Sequence, residues 1–127
     1  MKKLIILIAV LMTTSASAEW TYSTSQKENG NKSYIDYKTI ESNKGLVYAW
    51  TMTDFVRVGE DGVSSVKVFY AIDCGTPKQY NILSFHAYSS PMAAKGLMAS
   101  LTPEDPWEYL IPGSVVDQVA SDICTAI

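Results

Sequence analysis

Histidine occurs once in this 127-residue sequence, at His86, and cysteine twice, at Cys74 and Cys124, with no C-x-x-C pairing. One imidazole and two distant thiols are too few ligands for a tetrahedral zinc site, and a vicinal redox pair is absent as well. No serine stands in a G-x-S-x-G setting and no G-x-x-x-x-G-K-[ST] loop is present, which removes the usual signs of a serine hydrolase and of a phosphate-binding fold. The apolar run Leu4–Met12 covers nine residues, short of the ~20 that cross a bilayer. There is no internal repeat, low-complexity stretch or long linker. Basic residues do not predominate either. Lys and Arg number 10 against 13 for Asp and Glu, so the chain has no general attraction for nucleic acid or anionic lipid. These absences imply no cofactor, no nucleic-acid partner and no stable membrane anchor, and they point away from an enzyme.

What is present first is a leader. Lys2 and Lys3 precede the apolar LIILIAVLM, and Thr13 to Ala18 is small and polar, ending Ala16-Ser17-Ala18. That order of charge, apolar core and A-x-A site is a secretory signal peptide, with cleavage expected after Ala18. The division is thus residues 1–18 as signal and 19–127 as one domain, since 109 residues suffice for one core and not for two. The leader takes two of the ten basic residues and none of the acidic ones, leaving eight against thirteen and a net charge near −5. Export, to the periplasm or beyond it, puts Cys74 and Cys124 in an oxidising space where an even pair most often bonds. In the chain-entropy model, closing a loop of about 50 residues stabilises by roughly 4 kcal/mol, comparable with the whole stability of a small domain.

Along the chain, Trp20 and Tyr22 alternate into a polar run, and Asn29-Gly30 marks a hairpin because both residues tolerate positive φ. The returning strand is expected over Lys32 to Tyr37, followed by a turn to Gly45. Leu46 to Val58 alternates, with Leu46, Tyr48, Trp50, Met52 and Val56 on one side and Val47, Ala49, Thr51 and Thr53 on the other. After Gly59-Glu60-Asp61-Gly62, the next run sets Val66, Val68, Tyr70, Ile72 and Cys74 against Ser65, Lys67 and Asp73, which predicts a long antiparallel hairpin. Gln79 to Tyr88 resumes the sheet, with Ile82 on one face and Leu83 and Phe85 on the other. One more strand is expected around Gly96 to Leu101, and Pro103, Pro106 and Pro112 hold an irregular segment around Trp107, Tyr109 and Leu110. Ser114 with Asp117 resembles a capping box, and Val116, Val119, Ala120, Ile123, Cys124 and Ile127 form one helical stripe. The fold class this predicts is α+β: an antiparallel sheet of five to six strands with a C-terminal helix packed on it, tied by a disulfide between Cys74 and Cys124.

His86 reads as an ordinary half-exposed strand residue, and Asp54, Glu60, Asp61 and Asp73 as turn or solvated sheet positions. The eight tyrosines and three tryptophans exceed what a core of this size holds. Such amphipathic rings suit interfaces: Tyr48, Trp50 and Tyr70 fit a filled sheet face, whereas Trp20, Tyr22, Tyr34 and Tyr37 are candidates for surface contact. An exposed edge strand with tyrosines would permit a sheet-to-sheet homodimer.

Several short motifs occur in a fixed order: Trp20-Thr21-Tyr22; Ser33-Tyr34-Ile35-Asp36 with Ile40; Ala71-Ile72-Asp73-Cys74; Gln79-Tyr80-Asn81-Ile82-Leu83; and Trp107, Pro112-Gly113-Ser114 and Cys124. The set resembles the surface-adhesin protein E family of small exported bacterial proteins, over Glu19 to Ile127. The resemblance implies an antiparallel sheet with a terminal helix, and a non-enzymatic protein that binds host matrix or plasma proteins such as vitronectin, laminin or plasminogen. It places the partner-binding segment just ahead of the Q-Y-x-I-L strand, here Pro77, Lys78, Gln79 and Tyr80. Two departures are visible. The leader lacks the cysteine that lipid anchoring needs, and Lys78 is the lone cation where the family's segment is rich in lysine and arginine. The alternative function is a periplasmic structural or envelope-maintenance protein with a partner inside the cell envelope.

Overall fold

The computed structural model describes residues 19–127, so the leader lies outside the described residues. Among them, eight strands form one antiparallel sheet: β1 (Thr21–Ser25), β2 (Lys32–Ile35), β3 (Glu41–Asn43), β4 (Leu46–Asp54), β5 (Ser65–Asp73), β6 (Gln79–Tyr88), β7 (Leu97–Leu101) and β8 (Glu108–Tyr109). Six of them run in the order β1-β2-β4-β5-β6-β7, while β3 pairs with β4 and β8 with β6. The helix α1 (Val115–Thr125) follows. The α+β architecture read from the sequence is therefore present, and so is the Cys74–Cys124 bond, with a Cα separation of 5.9 Å.

The centre of the sheet is the β4–β5 hairpin, in register from Leu46 opposite Asp73 to Asp54 opposite Ser65. Directly opposed residues share a face, so Val47 and Ala49 lie beside Ile72 and Tyr70. The helix settles on that face. Val119, Ala120 and Ile123 pack with Ile35, Val47, Ala49 and Ile72, with Cys74 and Cys124 at the margin. Directly beneath the helix the buried side chains are small or β-branched, which lets it approach closely, with the rings of Tyr70 and Tyr80 packed at the border; the rings of Tyr48 and Trp50 are on the opposite face. Ser114 caps the helix, its Oγ accepting from the Asp117 N–H at 3.1 Å, and the Asp117 carboxylate accepts from the Gly113 N–H at 3.1 Å. The reciprocal bond thus reaches one residue further back than in an ordinary capping box.

Three expectations are corrected. β2 ends at Ile35, not Tyr37, because buried Asp36 turns its carboxylate onto the Lys38 N–H and caps a 3-10 turn over Tyr37–Thr39. The expected turn to Gly45 contains the short strand β3, whose residues are all exposed and so carry no alternation. In β6 a register shift opposite Phe69 and Tyr70 sets Ile82 against Tyr70 and Phe85 against Val68, so Ile82 and Phe85 share a face and Leu83 is the bulged residue. For the same reason His86 faces away from Tyr80 and Ile82, beside Lys67. The β6–β7 connection depends on Gly96. Its φ is +78°, and a Cβ there would stand 2.0 Å from the Ser89 Oγ.

The helix packs over the β1, β2 and β4 side of this face: Val115, Val116 and Val119 stand over Ser33, Thr51 and Thr53, and Ile123 packs with Ile72. The β5–β6 side, with Val66, Val68 and Ala87, is left uncovered by the helix and forms a second apolar cluster against Phe55, Val63, Ile82 and Phe85, and Tyr70 touches both clusters. This half-covered face positions the site.

Candidate functional site

Beside the uncovered cluster is a groove of about 1140 Å³. Buried Val66 and Ala87 line it, with Phe55 and Val63 from the β4–β5 loop and Phe85 from β6. Glu28, Arg57 and Asp61 supply its exposed charged groups, and Met98 and Ala99 of β7 close one side. The loop wall is held in place locally: Gly59 N–H bonds to the Val63 carbonyl at 3.0 Å, the Asp61 carboxylate accepts from the Val63 N–H at 3.1 Å, and the Asn31 side chain accepts from the Val56 N–H at 3.0 Å. The last bond joins the β1–β2 hairpin to the loop, so two chain segments far apart in sequence form one wall.

The outer side of β6 is the second feature. β7 pairs with Phe85 to Tyr88, and β8 with Gln79 and Tyr80, so residues 97–111 run along both ends of this sheet edge. All of them are exposed except Pro103 and Leu110. Leu97, Met98, Leu101, Trp107, Tyr109 and Ile111 are exposed by between 39% and 72%. Scattered exposed apolar residues are ordinary, whereas their concentration within one segment makes this edge the candidate interaction surface.

Pro77, Lys78, Gln79 and Tyr80 enter this edge from below. Pro77 is exposed, but the rest of the segment is engaged. The Lys78 ammonium donates to the Ser121 Oγ of the helix at 2.9 Å, and its carbonyl accepts from the Leu110 N–H at 3.1 Å. Gln79 lies opposite Tyr109, and the Tyr80 hydroxyl donates to the Glu108 carboxylate at 2.8 Å. Burial, followed by the Glu108 bond and charge, raises the Tyr80 pKa above its ordinary 10.0. The lone cation of the segment thus holds the helix, and the neighbouring surface is apolar and acidic.

The rings on the far face of the sheet serve one another. Trp50 and Phe69 stack at 4.7 Å, Tyr48 stacks on Phe69 at 6.2 Å, and the Lys67 ammonium covers Trp50 at 4.7 Å. Faces occupied in this way are not available as a platform for a flat ligand. His86 is 5.6 Å from Trp50, and its Nδ1 is 2.8 Å from the Ser100 Oγ, a cross-strand pair on the same face. Of the four surface candidates, Tyr22 is 52% and Tyr37 37% exposed, whereas Trp20 and Tyr34 are half-buried. The groove and the exposed edge were not read from the sequence: each joins residues that only the strand register brings together.

Tyr70, between the two clusters, makes a pH dependence legible. Burial pushes its pKa from 10.0 up to about 12, with the Tyr80 charge adding to it. The unfolded chain ionises first, so this contribution is fully present below pH 10 and lost as pH rises through 12. The loss is about 2–3 kcal/mol. Urea denaturation across that window shows it, and Tyr70→Phe removes most of it.

The sequence profile of the Surface-adhesin protein E family matches residues 20–125. The chain belongs to that family, whose members are exported. A search of curated protein sequences finds no match. Among solved structures, the structure of Haemophilus influenzae protein E is similar, with a TM-score of 0.56 and 16% identity over 88% of each chain. At that identity the likeness concerns the fold. No helix among the described residues is long and apolar enough to cross a membrane.

Proposed function

We propose that this chain is a non-enzymatic binding module of the protein E type. Residues 19–127 act as one domain after removal of the leader, and the outer sheet edge holds a protein partner. The observation that supports this most is the run of exposed large apolar residues along 97–111, on a domain whose family is named for adhesion. Host vitronectin, laminin or plasminogen are the partners the family suggests, with Pro77 at the lower end of the contact and Lys78, Gln79 and Tyr80 behind it. Titration of each immobilised host protein with the exported, leader-free protein in physiological salt is the test. Saturable binding to one of them supports the reading, and no saturable binding to any of them rejects the adhesin form of it.

The engagement of Lys78 with Ser121 favours a second reading, in which the partner belongs to the cell envelope and the protein stays in the periplasm. Cell fractionation separates the two, since a protein confined to the periplasm cannot meet host matrix.

A further inference from the structure

The groove and β7 adjoin, and together they have the form of a site for one more strand. Ala99 is opposite Ala87 and Leu101 opposite Phe85, so the groove-side residues of β7 continue the apolar rows of the sheet. β7 itself reads Leu97-Met98-Ala99-Ser100-Leu101: no charge, no proline, every residue exposed. Natural edge strands are commonly protected by charge, proline or a bulge. Here the one irregularity falls at the strand's start, between the pairs of Ala87 and Tyr88, and leaves Ala99 to Leu101 regular. A strand laid beside β7 would turn alternate side chains towards the groove, where Phe55, Val63 and Phe85 offer apolar contact.

The surrounding charge selects among occupants. Glu28 and Asp61 stand at the groove against Arg57, and segment 97–111 adds Glu104, Asp105 and Glu108 with no lysine or arginine. An acidic margin around an apolar floor favours a cationic partner, and the net charge near −5 of residues 19–127 opposes a second copy of the same chain. We infer that the groove and the free edge of β7 bind an extended protein segment in which apolar residues alternate with lysine or arginine. The inference rests on the reading of the chain as a protein-binding module and gives that module its site and the chemistry of its partner.

The test uses the protein purified after export and a short acetylated, amidated peptide of alternating valine and lysine, with alternating valine and glutamate as its counterpart. The valine–lysine peptide is expected to bind saturably and to slow amide exchange in β7, with the valine–glutamate peptide weaker by roughly ten-fold or more. Ala99→Lys, an exposed position beside the groove, should reduce binding by a similar factor. Arg57→Glu should tighten it, a gain that a misfolded protein would not show. Equal binding of both peptides, indifference to Ala99→Lys, or protection that leaves β7 unaffected overturns the inference. So does sedimentation as a dimer that Ala99→Lys dissociates, since a second copy would then be the occupant. Host-protein binding that survives Ala99→Lys rejects this site while leaving the adhesin reading intact; peptide binding without any host-protein binding does the reverse.

Discussion

Replacing Cys74 and Cys124 together by alanine lowers the stability of the folded domain by roughly 4 kcal/mol, read from urea denaturation. The bond spans 50 residues of sequence, and its loss returns the entropy of that loop to the unfolded chain. For a domain of this size that is a large share of the total. The effect should also be local. An isolated helix of eleven residues is marginal in water, and α1 holds the sheet with Val119, Ala120 and Ile123 as its buried side chains. Lys78 to Ser121 and Ser23 to Asp122, the latter at 2.6 Å, are its polar ties. Without the sulfur link, amide exchange in the helix is expected to outpace exchange in β4 and β5. A loss below about 1 kcal/mol, with helix and sheet still exchanging together, would show that packing alone holds the helix.

Truncating Ile123 to alanine costs about 2–5 kcal/mol. Its side chain is completely buried in the middle of the helix stripe, between Val119 and the cystine, against the floor formed by Ile35, Val47 and Ile72. The cost joins lost transfer energy to the cavity left behind, because a sheet cannot collapse into the space. Ile127→Ala provides the control. It belongs to the same stripe in sequence, but it lies beyond the helix and is 62% exposed, so its truncation should change stability by less than about 0.5 kcal/mol. Because Ile123 adjoins Cys124, this cost should not add simply to that of the missing disulfide. Equal effects at Ile123 and Ile127 would contradict the packing described.

The difference between those two isoleucines shows what the pattern in the sequence records. Period and capping residues identify an element and its apolar side, and by that route β4, β5, β6, β7 and α1 were all legible. They do not say where the partner surface ends. Ile127 keeps the phase of the stripe but has passed the edge of what the helix covers. β3 and β8 were missed for the opposite reason: they are short, exposed edge strands held by backbone pairing, and alternation appears only where burial differs between faces. The bulge at Leu83 was invisible because Gln79–Tyr88 is half-buried along nearly its whole length, so a skipped residue leaves no break in the pattern.

The candidate site divides in the same way. Pro77 to Tyr80 came from motif order, and the structure places them on the sheet edge with Lys78 already engaged. The groove depends on the registers of β5, β6 and β7 and on a loop anchored by Asn31, none of which one strand's pattern contains. The physical consequence is a division of labour across a single sheet face. The part beneath the tethered helix supplies the core, and the β5–β6 side that the helix leaves uncovered remains available to a partner.

Amide exchange of the exported protein, measured with and without saturating vitronectin, tests that division most directly. The expected result is slowed exchange in Leu97–Leu101 and through Tyr109 to Ile111, while the helix and the stacked rings of Trp50 and Phe69 keep their free-state rates. Slowing confined to the ring face or the helix, with β7 exchanging as freely as before, would contradict it.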